Sequence, residues 1–312
     1  MSILYLAINY ACNHHCLICP HRKKEDRQLS LAQVECIISA AIKNRGIKRV
    51  VLSGGEPVMH PEFFEICAYL AKNGLYIKVL TNGTYLASDE MLRKLYRFVP
   101  AESVTFTVSL HSHLEETNDY LAGRQGSYRQ TLAAILKLNQ LGYRVQIKHC
   151  VNKVNYLHLT EYLLWAEKEL PVSIPINICN IDYCGMTEEK LRICAVSLTK
   201  VGRQLARALR KMSGAGAHRQ IFISDTPLCT LPRRFWKYTE YEKTLGAYAD
   251  PKVSRNGEYK QTVKSDVEAS FPQCRRCRLH SVCHGTWEAT IAYWGSAGIP
   301  KICINRSRGI GL

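Results

Sequence analysis

The sequence predicts an α/β protein whose larger part is a partial, TIM-like (β/α)6 barrel. Short apolar runs alternate six times with segments of helical period, which is typical of a parallel sheet with right-handed crossovers. Motifs containing cysteine, glycine or asparagine follow the ends of several runs, and barrel folds place their active sites at the carboxyl ends of strands. Hydrophobic period and motif position therefore indicate the same fold.

Each of the six predicted strands is a buried apolar run bounded by polar or glycine-containing turns. They span residues 2–9, 49–53, 76–80, 104–111, 144–151 and about 172–180. Ser30 with Gln33, and Ser127 with Gln130, have the spacing of capping boxes at the starts of two helices. A third, long helix is predicted over residues 187–211.

The chain is long enough for this barrel and a second, smaller unit. It has 312 residues, of which 46% are hydrophobic. The glycine- and alanine-rich stretch 213–217 is a plausible linker, and the alternation of strand and helix is lost beyond it. We expect the barrel in residues 1–212 and a C-terminal domain in residues 213–312.

Composition also restricts the setting and the partners. No apolar run approaches the ~20 residues that cross a bilayer, and the N-terminus lacks the features of a signal peptide, so we expect a cytoplasmic protein without a membrane partner. In a reducing compartment, fourteen cysteines favour metal ligation over disulfides.

The net charge of +16 favours an acidic or phosphorylated partner and argues against a strongly cationic substrate. The aromatic-interleaved basic repeats of a dedicated RNA-binding module are missing, so nucleic acid is not the expected partner.

Three cysteines after the first predicted strand have the spacing C-x3-C-x2-C: Cys12, Cys16 and Cys19. Thiolates on one loop can converge on a metal or an iron–sulfur cluster. Zinc requires four ligands, usually as two separated pairs, and no second pair lies close downstream. Three thiolates on a four-iron cluster leave one iron open to a substrate or cofactor. The alternative is a set of three buried structural cysteines.

Three more motifs end the next strands. Gly54-Gly55-Glu56-Pro57 follows the second strand, where two glycines let the backbone approach a ligand and the carboxylate can accept from an ammonium. Thr81-Asn82-Gly83-Thr84 ends the third strand, and Ser109-Leu110-His111 ends the fourth.

Together these motifs resemble those of the radical S-adenosylmethionine (SAM) superfamily. The resemblance implies a 4Fe–4S cluster on Cys12, Cys16 and Cys19 whose open iron chelates the amino and carboxylate groups of SAM. It implies that an electron from a reductant such as flavodoxin or ferredoxin cleaves SAM to methionine and a 5′-deoxyadenosyl radical, which abstracts hydrogen from a substrate. The SAM-binding residues that it implies or suggests are Gly54, Gly55, Glu56, Pro57, Asn82, Ser109, Lys148 and Asn152.

A second cysteine group, Cys274, Cys277 and Cys283, has the spacing C-x2-C-x5-C. This spacing is compatible with a zinc ion and with an iron–sulfur cluster, and the presence of the first cysteine motif favours the cluster. The run resembles the SPASM/twitch extensions of radical SAM enzymes. Trp287 stands where a full SPASM domain has its next cysteine, which implies one auxiliary 4Fe–4S cluster and not two.

The fourth ligand of that cluster is Cys229 as first choice and Cys303 as second. If Cys303 is the ligand, Cys229 becomes a free thiol that could donate a hydrogen atom to a product radical. Six cysteines on predicted helices or in or near predicted strands are interpreted as buried small hydrophobic residues. They are Cys36, Cys67, Cys150, Cys179, Cys184 and Cys194.

Proteins with such extensions often modify peptides, so the predicted substrate is a ribosomally synthesised peptide that is crosslinked or epimerised. The alternative enzyme tailors a small metabolite, a sugar or a nucleotide. The third alternative is a binding protein that holds zinc or a cluster and has no catalytic activity.

Overall fold

A computed structural model of the protein describes residues 3–19, 27–239, 246–249, 268–280, 283 and 285–300. In it, one sheet of eight strands has the order β7-β6-β5-β4-β3-β2-β1-β8, and every neighbouring pair is parallel. The strands of this sheet are β1 (Ile3–Asn9), β2 (Arg49–Gly54), β3 (Tyr76–Thr81), β4 (Val104–Ser109), β5 (Arg144–Val151), β6 (Ile176–Asn180), β7 (Ile221–Ser224) and β8 (Gly246–Ala249). The predicted α/β fold, an open partial barrel with a parallel sheet, is confirmed.

Helices connect the successive strands as crossovers. They are α1 (Leu31–Arg45), α2 (Phe63–Lys72), α3 (Asp89–Phe98), α4 (Glu115–Ala122), α5 (Ser127–Gln140), α6 (Leu159–Glu169), α7 (Glu188–Cys194) and α8 (Leu198–Gly214). A short antiparallel pair, β9 (Glu268–Ala269) with β10 (Thr286–Trp287), and the helix α9 (Glu288–Trp294) complete the described elements.

The main hydrophobic core lies between the outer face of the sheet and the helices. In β5, Val145, Ile147 and Val151 belong to this core. Gln146, Lys148 and Cys150 alternate with them and therefore point to the inner face, because successive side chains of a strand face opposite sides. The sheet thus surrounds a polar lumen, and at the amino ends of the strands this lumen opens into a cavity of about 1460 Å³.

The capping box predicted for α1 is present: Ser30 Oγ accepts from the Gln33 backbone, and the Gln33 side chain accepts from the Ser30 backbone. The box predicted for α5 is wrong. Ser127 lies inside the first turn, and the helix start is held by Asp119, whose carboxylate accepts from the backbone N–H groups of Gly126 (2.6 Å) and Tyr128 (2.7 Å). An acidic side chain from the preceding helix therefore takes the capping role.

The single helix predicted over residues 187–211 is two helices. α7 ends at Cys194, and α8 begins at Leu198. Between them, Val196 is fixed in an extended segment because its backbone N–H donates to the Tyr183 hydroxyl and its carbonyl accepts from the same hydroxyl. The sixth strand is also shorter than predicted, since residues 171–174 form a turn closed by the bond from Ile174 N–H to the Pro171 carbonyl.

The burial predicted for six cysteines is wrong for two of them: Cys36 lies on the solvent side of α1, and Cys184 lies in an exposed turn before α7. A third, Cys150, is half-buried. β7, beyond the linker stretch, pairs with β6 and extends the barrel sheet past residue 212. The division of the chain at 212/213 remains a prediction. Among the residues with described positions, no helix combines the length and the apolar character needed to traverse a bilayer.

Candidate active site at the carboxyl end of the barrel

The first cysteine loop leaves the carboxyl end of β1. Cys12, Cys16 and Cys19 are all half-buried. The backbone N–H of His14 points at Cys12 Sγ (3.4 Å), and the ring Nδ1 of the same histidine lies 4.0 Å from Cys16 Sγ. The Cys19 N–H donates to the Cys16 carbonyl (3.3 Å), which closes a turn between the last two thiols.

The loop is fixed to the carboxyl end of α4. The N–H groups of His15 and Leu17 donate to the carbonyls of Ala122 and Leu121, each at 3.0 Å. Gly123 has φ +61°, and a Cβ there would lie 2.4 Å from the His15 carbonyl oxygen. The helix end and the loop therefore approach more closely than any other residue at 123 would allow.

The Gly54-Gly55-Glu56 backbone lies directly against the segment that leads into the cysteine loop. The N–H of Gly55 donates to the Asn9 carbonyl (2.9 Å), and the N–H of Glu56 donates to the Ala11 carbonyl (2.7 Å). A Cβ on Gly54 or on Gly55 would lie 2.0 Å from those same two oxygens. In the structure, then, the close approach that these glycines permit is to the protein's own chain.

The Glu56 carboxylate is buried and joins two of the motifs. It accepts from the Thr81 hydroxyl (2.6 Å), the Asn82 N–H (2.7 Å) and the Val58 N–H (3.1 Å). Burial raises the pKa of Glu56 to about 7, against these three hydrogen bonds, which lower it. Pro57 begins the short 3-10 turn Pro57–Met59, which Glu56 caps.

Asn82 connects the third strand end to the cysteine loop. Its Nδ2 donates to Asn13 Oδ1 (2.8 Å), and Asn13 Nδ2 in turn donates to the Thr84 hydroxyl (2.8 Å). Its Oδ1 accepts from the Thr84 N–H (3.0 Å). The motifs after β1, β2 and β3 thus form one hydrogen-bonded unit.

Three predicted SAM-contacting residues lie on or after the next strands. Ser109 and Lys148 are register neighbours on β4 and β5. The Lys148 pKa is raised chiefly by the nearby Cys179, against desolvation. Asn152 is fully buried, and its amide donates to the Cys150 carbonyl (3.1 Å) and accepts from the Val154 N–H (2.9 Å). The structure brings Ser109 and Lys148 together, while the contacts of Asn152 stabilise a turn.

The donor set fits an iron–sulfur cluster. In the described part of the chain, no three His, Cys, Asp or Glu side chains are close enough to hold a single metal ion. A 4Fe–4S cluster does not need such convergence, since each thiolate binds a different iron. Beside the loop, Asn9 Oδ1 is buried without a hydrogen-bond partner while its Nδ2 donates to the Glu56 carbonyl (3.0 Å). Sequence reasoning missed Asn9, although its position as the last residue of β1 is a usable signal.

The second cysteine group is organised by local turns. The N–H of Cys274 donates to the Phe271 carbonyl (2.7 Å), and the N–H of Cys277 donates to the Cys274 carbonyl (2.9 Å). The N–H of Cys283 donates to the Leu279 carbonyl (2.8 Å), and all three cysteines are half-buried.

Cys229, which is distant from this second group in the sequence, lies near it in the structure. Cys229 and Cys274 both pack against one small apolar cluster formed by Leu198, Phe271 and Ile299. Cys303, the other candidate ligand, lies outside the described residues.

Similar proteins include two curated enzymes. The AdoMet-dependent heme synthase of Methanosarcina barkeri is 36% identical over 112 residues, 36% of this chain and 31% of the synthase. The mycofactocin maturase MftC of Mycobacterium tuberculosis is 27% identical over 164 residues, 52% of this chain and 40% of the maturase. The chain thus spans well under half the length of these two relatives.

The fold resembles the crystal structure of Streptococcus suis SuiB bound to its precursor peptide SuiA. The TM-score is 0.68 at 15% sequence identity, over 96% of this chain and 75% of SuiB. The family model of the radical SAM superfamily matches residues 6–162, half of the chain, and this range contains the first cysteine loop and the strand-end motifs joined to it. The predicted cofactors of the barrel, a 4Fe–4S cluster and SAM, are those of this family, and the chain belongs to the radical SAM superfamily.

Proposed function

We propose that this protein reductively cleaves SAM and uses the resulting 5′-deoxyadenosyl radical to abstract hydrogen from a ribosomally synthesised peptide. The observation that carries the proposal is the hydrogen-bonded unit at the carboxyl ends of β1, β2 and β3. It holds three thiols, a buried carboxylate and the Asn82 amide at the edge where barrel enzymes bind their substrates.

Each part of this unit has a role in the proposal. Cys12, Cys16 and Cys19 hold the cluster, which supplies one electron to the sulfonium of SAM when both are bound. Glu56 orients the Gly54–Pro57 turn toward the amino group of SAM and is held in place by Thr81 and Asn82. Ser109 and Lys148 face the lumen, where they contact the ribose or the carboxylate.

Two observations support a peptide substrate. MftC is named a maturase, and the SuiB structure contains a precursor peptide. The net charge of +16 favours an acidic substrate segment. The cavity of about 1460 Å³ opens at the amino ends of the strands, opposite the candidate active site, and is therefore not assigned to the substrate.

The second candidate is tailoring of a small metabolite. It is favoured by the match to the heme synthase, which is 36% identical over 112 residues. Crosslinking or epimerisation of a peptide and epimerisation or dehydrogenation of a small metabolite, sugar or nucleotide begin with the same hydrogen abstraction. The substrate, not the first chemical step, therefore separates the two candidates.

The second cysteine group is proposed to hold one auxiliary 4Fe–4S cluster with Cys229 as its fourth ligand. The shared packing of Cys229 and Cys274 supports Cys229 as that ligand, while Cys303 lies outside the described residues. A low-potential protein such as a flavodoxin or ferredoxin is the proposed reductant, and a reducing cytoplasm is the setting in which these thiolates stay free of disulfides.

The test is SAM cleavage by the protein purified and reconstituted without oxygen. With dithionite and SAM, we expect 5′-deoxyadenosine and methionine in equal amounts and an iron content that corresponds to two 4Fe–4S clusters. The matched control is Cys36→Ala, which removes an exposed thiol on α1 and should change neither quantity. A colourless protein that contains only zinc and forms no 5′-deoxyadenosine would overturn the proposal.

The fourth ligand is tested by the iron content of Cys229→Ala and Cys303→Ala. We expect Cys229→Ala to lose the iron of one cluster and Cys303→Ala to retain it. The opposite result would make Cys303 the ligand and leave Cys229 as a thiol able to donate hydrogen.

A further inference from the structure

Two cysteines outside both predicted ligand sets lie side by side in the barrel sheet. Cys150 on β5 and Cys179 on β6 are direct register partners, and their sulfur atoms are 3.5 Å apart. Both stand one residue before the end of their strand. They therefore lie at the end of the barrel that carries the candidate active site.

Strand alternation turns both thiols toward the lumen. Ile147 and Val151 on β5, and Ile178 on β6, belong to the outer core, so the residues between them face inward. Cys150 is partly exposed, whereas Cys179 is 3% exposed. Cys150 is therefore the member of the pair that a molecule in the lumen can reach.

The surroundings of the pair shift the pKa values of the two thiols in opposite directions. The hydrogen bond from Cys179 and the positive charge of Lys148 lower the pKa of the Cys150 thiol, against desolvation. The same contact with Cys150, together with burial, raises the pKa of Cys179. The Cys150 N–H donates to His111 Nδ1 (3.2 Å), which fixes the backbone at the pair. Ser109, the proposed SAM contact, is paired with Lys148, two residues before Cys150 on the same face of β5.

We propose that Cys150 and Cys179 form a redox-active dithiol in the lumen, and that the pair donates a hydrogen atom through Cys150 to a carbon radical generated there. The donation rests on the proposed function, because that function supplies the radical. It makes Cys150, not Cys229, the thiol that quenches radicals in this barrel.

The step balances in atoms and electrons. The pair begins as two thiols. The S–H bond of Cys150 breaks and a C–H bond forms on the radical; the Cys179 thiol then releases its proton to solvent, and the two sulfurs are left as a disulfide radical anion. One electron from the low-potential protein reductant and two protons from solvent restore the two thiols.

The first test traps the pair chemically. The anaerobic holoenzyme is treated with diamide, a two-electron thiol oxidant, then alkylated and digested. We expect a disulfide between the peptides that carry Cys150 and Cys179, because adjacent in-register strands place such residues within bonding range. Cys36 and Cys184, which are exposed, serve as internal controls and should be alkylated singly. Separate alkylation of Cys150 and Cys179 after oxidation would overturn the dithiol.

The second test follows the hydrogen atom. Holoenzyme, SAM and dithionite are incubated in D₂O without a substrate, and deuterium is measured in the 5′-deoxyadenosine formed. Because thiol hydrogens exchange with solvent, we expect deuterated product from the wild type and a several-fold lower fraction from Cys150→Ser and Cys150→Ala. Cys184→Ser is the matched control and should resemble the wild type.

The outcomes separate the two proposals. Unchanged deuterium in both Cys150 variants would overturn the donation while leaving SAM cleavage intact. A loss of deuterium only in Cys229→Ser would overturn it in favour of Cys229. A wild type that forms no 5′-deoxyadenosine would overturn the proposed function, and the donation with it.

Discussion

The two cysteine groups of this chain are held in different ways. The loop of Cys12, Cys16 and Cys19 is bonded to elements far away in sequence: the end of α4, the Gly54-Gly55 turn and the Asn82 turn. Among the residues that the structure describes, the backbone hydrogen bonds of Cys274, Cys277 and Cys283 reach three or four residues along the chain. The first loop is therefore part of the barrel, whereas the second is shaped by its own turns.

This difference suits different tasks. A site that positions a reactive radical must keep its geometry to within a fraction of an ångström, and regular strands and helices supply that rigidity. An auxiliary cluster that transfers electrons or stabilises its domain has a looser requirement. Disruption of either group should separate the two roles.

The largest effect is expected from removing one thiol of each group. Cys16→Ala should reduce 5′-deoxyadenosine formation to background, because the iron that binds SAM is lost with the cluster. Cys277→Ala should lose a similar amount of iron yet still cleave SAM. Iron content and 5′-deoxyadenosine are measured on the same anaerobic samples. Loss of cleavage in both variants would show that the two groups act as one site.

The next effect comes from the close contact behind the first loop. Gly55→Ala places a methyl group 2.0 Å from the Ala11 carbonyl oxygen, so the backbone must move. We expect it to cost about 3 kcal/mol or more of unfolding free energy and to impair cluster loading. The matched control is Gly214→Ala at the end of α8, where an added Cβ meets nothing within 4 Å.

Urea unfolding of the two glycine variants and iron content after reconstitution measure this difference. If Gly55→Ala were as stable as Gly214→Ala and loaded the same amount of iron, then the contact between the turn and the loop would not hold the site together.

Two features of the sequence allowed part of the fold and the site to be predicted: the hydrophobic period of the strands and the position of the motifs at the strand ends. Strand alternation and motifs at strand ends locate Cys12, Glu56, Asn82 and Ser109 at one edge of the sheet, because parallel strands share that edge. These are local properties of the chain. The bonds from Thr81 and Asn82 to the Glu56 carboxylate are not local, and no pattern in the sequence indicated them.

The wrong predictions for α5 and for the helix over residues 187–211 have the same origin, because both depend on contacts that are not local in the sequence. The cap of α5 comes from Asp119, seven residues before the Gly126 that it binds, in place of the nearer Ser127. The apolar period of residues 187–211 continues without a break and predicted one helix. The hydrogen bonds between the Tyr183 hydroxyl and the backbone of Val196 divide that segment into two helices. The Cys150–Cys179 pair depends on the register of two strands separated by α6, and the sequence alone does not determine that register.

Glu56 provides a pH test of how tightly the first site is packed. Its pKa is raised to about 7 in the folded protein from 4.5, chiefly by burial. The folded state therefore binds the proton more strongly than the unfolded state. Stability from this group is present below about pH 4.5 and is lost as pH rises through 7. Relative to Glu56→Gln, the wild type should lose about 2–3 kcal/mol between pH 4.5 and 8.

Urea unfolding of the apoprotein at several pH values gives this difference directly. The change Glu188→Gln, on the exposed face of α7, is the control and should leave the pH dependence of the wild type unaltered. Parallel pH curves for the wild type and Glu56→Gln would mean that the carboxylate is solvated in solution.

The smallest expected effect concerns a charge beside the first loop. Lys190 on α7 is half-buried and donates from Nζ to the Cys16 carbonyl (3.3 Å), so it adds a fourth distant element to the anchors of that loop. Lys190→Met should cost about 1 kcal/mol of unfolding free energy, the usual value of one such bond, and should speed iron loss to a chelator. Lys168→Met is the matched control, because Lys168 is exposed and pairs only with its neighbour Glu169 among the described contacts. Equal iron retention in the two variants would remove Lys190 from the anchors and leave α4 and the two strand-end turns as the whole support of the loop.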